Sequence, residues 1–453
     1  MAAPKSPNPS PEKSPPQKYS SFAALRHRDF RLLWLGQIVS VTGSQMQSVA
    51  IHWHVYLLTK SAFALGMVGF FKGMPIILCS LLGGVVADAV DRKKLMIATQ
   101  TTMLLSSALL TIATLGGLKS VWPIYLLTAI ASAATAFDIP ARQALMPALV
   151  PARDFPNAVS LGLLVFNVAL IAGPAAAGFL LASNGPELVY GLNAITFLTI
   201  IFALASIRTS GRPRLESNLR SAVSFSALKE GLRFVWRTPI IVQTMTLDFV
   251  ATFFASATAL LPIFAQEILL VGPRGLGFLV AAPAVGSVLT ALVMARVGSF
   301  KQPGKLVISS VAVFGLATIG FGLSRVFWFS LVMLAITGAA DTVSTVLRQT
   351  IRQLATPHEL RGRMTSINMI FFMGGPQLGE VEAGLVASLI GAPLAVVTGG
   401  AGSLLAAIVA VFKGKPLMSY EAQSTEHIPG SEVPLKMEVS KVGKVGLPPP
   451  QDQ

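Results

Sequence analysis

The chain has 453 residues, 53% of them hydrophobic and only 12% charged. That balance excludes a soluble globular protein of this size, because too little polar surface remains to face water. A net charge of +15 would point to nucleic acid in a soluble protein, so where the basic residues lie relative to the apolar runs decides what the charge means. The single cysteine, Cys79, excludes an intrachain disulfide.

Residues 1–22 are rich in Pro, Ser and Lys and are expected to form a disordered tail. No cleavable signal is read, since the first apolar run is too long for a signal core and is expected to be retained as a span. A helix crossing the hydrocarbon core needs about 20 mostly apolar residues, because every backbone polar group must be satisfied within the segment. Six such runs fall at 31–58, 63–87, 95–117, 121–143, 157–183 and 187–207. Six more fall at 240–266, 275–298, 304–324, 327–350, 364–390 and 392–412. The expectation is an all-α membrane protein of twelve transmembrane helices, with six-helix bundles at 23–207 and 239–412. A linker at 208–238 joins them, with apolar residues at helical spacing from Phe225 to Val235 predicting a short surface helix. Residues 413–453 are polar and proline-bearing, and a second disordered tail is expected there. The 39 glycines suit close approach of helices in lipid.

Of the 35 Lys and Arg residues, 30 fall on the tails and even-numbered loops and four on the odd-numbered loops (Lys60, Lys119, Arg274, Arg325), with Lys72 inside a span. Without the tails the ratio is still 19 to four, so both termini are predicted to be cytoplasmic. Anionic lipid, not nucleic acid, is then the expected partner of the charge. The halves also echo each other. Arg142-Gln143 recurs as Arg348-Gln349, 206 residues later, each with a proline nine residues after the arginine. Both copies close the fourth helix of a six-helix half, which predicts a parallel repeat with a cavity between the halves near the bilayer midplane.

Ionisable residues at lipid depth are costly unless paired or hydrated, and so are functional candidates. Lys72 lies near the middle of span two, Asp248 mid-depth in span seven, Asp341 in the inner half of span ten, and Glu380 and Glu382 in the outer half of span eleven. A buried carboxylate can take up a proton on one side and release it on the other as its hydration changes, a role assigned first to Asp248 and Glu380. The alternative is a static pair with Lys72 or a residue satisfied by water, and Glu382 is expected to face an outer vestibule. Asp138 and Arg142, four apart, predict a pair at the cytoplasmic end of span four. His52 and His54 face different sides of a helix, so they are read as outer-interface residues beside Trp53, an aromatic-belt residue, rather than as a metal site. Among Phe70, Phe71, Phe249, Phe253, Phe254, Phe371 and Phe372, only a minority is expected in a cavity.

The run after span two, Gly84-Val-Val-Ala-Asp88-Ala-Val-Asp91-Arg92-Lys93-Lys94, resembles the loop signature of the major facilitator superfamily. The resemblance implies a cytoplasmic gate in which the glycine permits close helix contact, Asp88 faces a helix N-terminus and the basic cluster anchors the loop. Ala89 stands where the family usually has arginine; the plainer reading is an ordinary positive-inside loop. AFDIPARQALMPALVP (136–151) and the stretch from GAAD (338–341) to GGPQLGEVEAG (374–384) resemble a bacterial exporter branch that includes enterobactin and macrolide exporters, a resemblance running from Arg28 to Val411. NVALIAGPAAAG (167–178), with Gly173, Pro174 and Gly178, is similar to the Gly-Pro signature of antiporters, although Leu170 stands where related sequences often carry arginine. Simple helix packing would explain that motif equally.

The resemblance implies a transporter of the bacterial cytoplasmic membrane that works by alternating access, probing both sides in turn. It implies export of a small amphipathic molecule, a siderophore, macrolide or other drug, in exchange for protons, by a monomer, with Arg92 reaching Asp138 when the inner gate closes. A nutrient importer or uniporter of the same fold is the alternative; a sensor or scaffold is disfavoured because the tails are too biased in composition to be folded partner domains. No GxxxxGK[ST] loop, HExxH, GxSxG or Cys/His cluster is present in the sequence, so neither ATP hydrolysis by that route nor an enzyme activity is expected, and no cofactor or metal.

Overall fold

The computed structural model describes residues 22–211, 232–254, 256–298, 300–357 and 360–418. Most of the expected linker, the N-terminal tail up to residue 21 and residues 419–453 lie outside these residues, as do the side chains of Asp88, Phe371 and Phe372. The start of the expected C-terminal tail is instead ordered: Lys415–Met418 form a helical turn, because Leu417 is buried in the second bundle's core and its N–H donates to Gln243 Oε1 at 3.2 Å. Residues 232–237, the end of the expected surface helix, are helical, with Val235 buried against Ile241, Met245 and Met364.

Twelve long helices dominate the described chain: α1 Arg28–Thr59, α2 Ala62–Ala89, α3 Arg92–Leu115, α4 Trp122–Leu149, α5 Phe155–Asn184, α6 Pro186–Ser206, α7 Pro239–Phe254, α8 Gly272–Val297, α9 Pro303–Leu323, α10 Phe327–Ala355, α11 Arg361–Ile390 and α12 Ala392–Lys413. The helices agree closely with the runs read from hydropathy, with two exceptions. α4 and α10 continue beyond 143 and 350 because apolar residues still recur at helical spacing past the arginines: Leu145, Leu149 and Ile351 are all buried. The seventh span is not one helix. α7 stops at Phe254, and the chain crosses the remaining depth through a 3-10 turn at Ala257–Leu260, the short piece Leu261–Ile263 and a π turn at Phe264–Ile268. The π turn is closed by the N–H of Leu269 donating to the carbonyl of Phe264 at 2.8 Å.

Ten helices among the described residues are long and apolar enough to span a membrane on composition. α1 and α11, with 32 and 30 residues, are long enough, at about 1.5 Å per residue, to do the same. Their hydropathy is lowered by Gln45, Ser48 and His52 in α1 and by Glu380 in α11, which line an internal cavity rather than lipid.

In the first half α1 packs on α5 and α6, α3 on α4 and α6, and α2 on α4; in the second α7 packs on α11 and α12, α9 on α10 and α12, and α8 on α10. Each of these contacts has its counterpart six helices later, as the repeated Arg-Gln predicts. The halves join through α2 on α11 and α5 on α8, two seams that the same relation exchanges. Both seams depend on glycine. A methyl group on Gly178 would lie 2.8 Å from the carbonyl of Pro273, and one on Gly384 2.7 Å from that of Ala62. These two glycines are 206 residues apart, the offset of the repeated arginines.

Gly66, Gly178, Gly277 and Gly384 all lie toward the end of the molecule bearing the α1–α2, α5–α6, α7–α8 and α11–α12 connections. The apolar cores divide accordingly. At that end a single cluster runs through both bundles, from Met46 and Leu65 to Leu261, Phe264 and Ala383. Toward the other end each bundle has its own: Phe30, Met96 and Leu145 in the first, Leu247, Val307 and Ile351 in the second. The molecule is zipped shut at one end and separated at the other.

Candidate functional site

Below the zipped end lies a cavity of about 430 Å³ between the bundles. Most of its wall is apolar, with Leu170, Pro174, Leu276, Val280, Phe314 and Phe321, and its ionisable lining is His52, Lys72, Asp341 and Glu380. A side chamber of about 110 Å³ runs from Lys72 and His52 into the first bundle, among Ser44, Ser48, Thr128, Ser132 and Asn193. Asn193, Gln47 and Ser107 are tied together there, with the Asn193 amide and the Ser107 hydroxyl donating to Gln47 Oε1 at 2.8 and 2.7 Å. This geometry offers an amphipathic guest apolar walls and a few directional polar groups.

Three of the five intramembrane candidates thus meet in one space, Lys72, Asp341 and Glu380, while Glu382 is not among the cavity's lining residues. Lys72 Nζ donates to Ser48 Oγ at 3.3 Å. Asp341 keeps 47% of its side chain exposed, toward the cavity. Asp248 is not with them. It lies behind the wall, 5% exposed, with Oδ1 2.7 Å from Arg348 Nη2 and Oδ2 3.9 Å from Arg352 Nη1. The static partner of Asp248 is therefore arginine from α10, not Lys72. Arg348 is itself only 1% exposed and also comes within 3.8 Å of Asp341. Burying a guanidinium is sustainable only with carboxylates this near.

Sequence reading took Arg348 as a repeat marker and counted it among the loop charges; it is a buried charge of the second bundle. The signal that could have found it was Asp248 itself, since a carboxylate at mid-depth requires a cation, and Arg348 lies on a helix that packs beside α7.

At the separated end the loop motif resolves into individual contacts. Asp91 is the N-cap of α3, accepting from the backbone N–H groups of Lys93 and Lys94 at 3.0 and 3.3 Å. Arg92 Nη1 donates to the carbonyl of Ala144, and Lys93 Nζ to that of Ile207 at 2.7 Å, a cation at the C-terminus of α6. Asp138 pairs with Arg142 at 3.3 Å, as the spacing predicted, and accepts from Thr99 and Gln100 as well. The close-contact role expected of Gly84 is not found, as no described atom lies within 4 Å of the position its methyl group would take. Its neighbour Gly83 makes that contact instead, against the backbone of Ala136 in α4. In α5, Gly173 packs on α1, where a methyl group would fall 2.6 Å from Gln45 Cβ, while Pro174 lines the cavity and Gly178 forms the seam.

The histidines and aromatics also differ from expectation. His52, His54 and Trp53 are buried rather than at an outer interface. His54 Nδ1 lies 3.3 Å from the Tyr190 hydroxyl, while His52 reaches the cavity. Phe71 stacks on Tyr125 and Phe249 on Phe253. Among the described residues the aromatic cavity walls are Phe314 and Phe321 of α9, neither of which the sequence reading singled out.

A family model described as transmembrane secretion effector matches residues 19–447. The enterobactin exporter EntS of Salmonella choleraesuis (strain SC-B67) is 26% identical over 359 residues, 79% of this chain and 85% of that protein. The enterobactin exporter EntS of Escherichia coli O1:K1 / APEC is 27% identical over 361 residues, with the same coverage. Among solved structures, a bacterial homologue of the iron transporter ferroportin in an inward-facing state superposes with a TM-score of 0.65 at 17% identity, over 87% of this chain and 99% of that one. A bacterial homologue of the lysosomal transporter Spinster, also inward-facing, gives 0.65 at 14% identity, over 86% and 96%. At these identities the superpositions speak for the fold.

Proposed function

The chain belongs to the transmembrane secretion effector family of major facilitator transporters, and from that premise we propose that it is a proton-coupled exporter of a small amphipathic molecule. It works by alternating access in a bacterial cytoplasmic membrane, with both termini in the cytoplasm. The observation that carries this reading is the cavity, amphipathic in lining and closed at one end only. The Lys and Arg bias assigns the separated end to the cytoplasm, so the cavity faces the compartment from which an exporter loads. The curated relatives' role as enterobactin exporters favours a siderophore over a sugar or an ion as cargo, with a macrolide or other drug within the same chemistry.

Exchange with protons needs carboxylates that meet both cargo and water. Asp341 and Glu380 line the cavity and take that role; Lys72 supplies a cation for a polar group of the cargo. Asp248, held by Arg348, orients the second bundle rather than carrying a proton. At the cytoplasmic end Gly84, Asp88, Asp91, Arg92 and Lys93, with Asp138 and Arg142, form the gate that meets the second bundle when the cavity turns outward. The cycle requires one polypeptide, with the basic loops resting on anionic lipid.

Everted vesicles test the reading. Uptake of a labelled catecholate siderophore or macrolide should require an imposed pH gradient, acid inside. The requirement should weaken in Asp341→Asn or Glu380→Gln. Uptake indifferent to both pH gradient and membrane potential would overturn proton coupling.

A further inference from the structure

α1 reaches across to the second bundle twice, one helical turn apart. The Tyr56 hydroxyl donates to Glu267 Oε1, in the π turn that ends the seventh span, at 2.6 Å. Four residues earlier, His52 Nε2 lies 3.7 Å from Glu380 Oε2 on α11. His52 Nδ1 is 2.8 Å from the carbonyl of Ser48, a group that can only accept, so that nitrogen carries hydrogen. Nε2 is therefore the nitrogen that gains or loses the second proton. Neither Nε2 nor Glu380 Oε2 has a hydrogen-bond partner among the described residues, and both atoms are buried.

A neutral imidazole would present its lone pair to the carboxylate. A protonated one would present an N–H, and would compensate the charge of the buried carboxylate. The other charged groups facing this pair are Lys72 of α2 and Asp341 of α10, which line the same cavity; α5 contributes Leu170 and Pro174, and α8 Leu276 and Val280, none of them titratable. Tyr56 and Glu267 lie one turn outward, with Lys60 Nζ over the Tyr56 ring at 4.3 Å.

We propose that His52 and Glu380 together bind the transported proton, and that the proton is held between them only while the zipped end is shut. This rests on the proton-coupled reading above. The shut state then holds one proton more than the state in which α1 and α11 have parted. A proton taken up from outside draws the outer end closed. Its loss to the cytoplasm when cargo loads releases His52 from Glu380 and lets the outer end open. Tyr56–Glu267 is the second rung of the latch.

The sign follows from linkage. Because the shut state binds the extra proton, acid favours it. The ratio of shut to open falls as pH rises, by up to about tenfold per pH unit for a difference of one bound proton.

The test uses the full chain with Cys79→Ser and spin labels on cysteines replacing Lys119 and Arg325, exposed in the α3–α4 and α9–α10 connections of opposite bundles. Distances measured in lipid nanodiscs between pH 5.5 and 8.5 should lengthen with pH in this background. His52→Gln and Glu380→Gln should each flatten that dependence. Tyr56→Phe should lower the shut fraction at every pH and leave the slope unchanged, which separates a titrating rung from a merely structural one. A wild-type slope in His52→Gln would overturn the assignment. If His52→Gln fails to fold, Glu380→Gln decides by the same criterion. Vesicle uptake separates the two levels: parent uptake indifferent to the pH gradient sinks proton coupling altogether, whereas gradient-dependent uptake undiminished in both variants sinks only this pair.

Discussion

The two bundles repeat one another in packing and differ in how they use the arginine they share. In the first, Arg142 stands 26% exposed beside Asp138 of its own helix, a local pair at the separated end. In the second, Arg348 is buried and reaches to α7 for Asp248, tying two helices together beneath the cavity wall. A repeated sequence fixes where a side chain leaves the backbone; the partner across the interior decides what it does. One bundle thus has a partly exposed local pair at its separated end, while the other has a charge fixed into its frame.

The largest expected effect tests that difference directly. Asp248→Asn leaves the Arg348 guanidinium buried with Asp341 as its nearest carboxylate, at 3.8 Å, and should cost about 3–5 kcal/mol of stability. Asp138→Asn keeps an oxygen for Thr99 and Gln100 and lets Arg142 turn to water, so about 1 kcal/mol is expected. Thermal unfolding of both variants in one detergent measures the contrast. Equal losses would mean that the second bundle's arginine is no more structural than the first's.

The seams come next, and here the bundles should behave alike. Gly178→Ala in α5 and Gly384→Ala in α11 each force a methyl group against backbone, which cannot move as the end of a flexible side chain can. Overpacking of this kind costs about 1–3 kcal/mol, and it is charged to the shut state alone, because only there do the seams touch. A shift of roughly five- to 150-fold toward the outward-open state is expected from either substitution, read as the distance between labels at 119 and 325. A shift from one but not the other would show that the two seams do not part together.

How much of this was legible follows from what each feature depends on. The spans, the pairing of halves and the Asp138–Arg142 contact depend on residues near one another in sequence or on composition over a helix length, and these were read correctly. Glu380 and Asp341 stood out because a charge at lipid depth is rare enough to notice alone, and both line the cavity. His52, Phe314 and Arg348 were misread or missed because their roles depend on which face of a helix meets the other bundle, and hydropathy is silent on that. The break after Phe254 was equally hidden: the residues through Ile268 stay apolar, so the composition of a span survives although its helix does not.

The smallest predicted effect concerns Gly84, where the family resemblance and the observed packing part company. With the molecule zipped shut, a methyl group there meets nothing within 4 Å among the described residues, and exchanging glycine for alanine inside a helix should by itself stabilise by about 0.5–1 kcal/mol. If Gly84 belongs to the gate, its space is needed only when the cytoplasmic end closes, so Gly84→Ala should raise thermal stability slightly while slowing uptake. Gly83→Ala, which presses on Ala136 within one bundle, should lower stability in either state. Should Gly84→Ala leave uptake unchanged while stability rises, the loop would be an ordinary basic connection, and the second bundle would close on some other surface of α2.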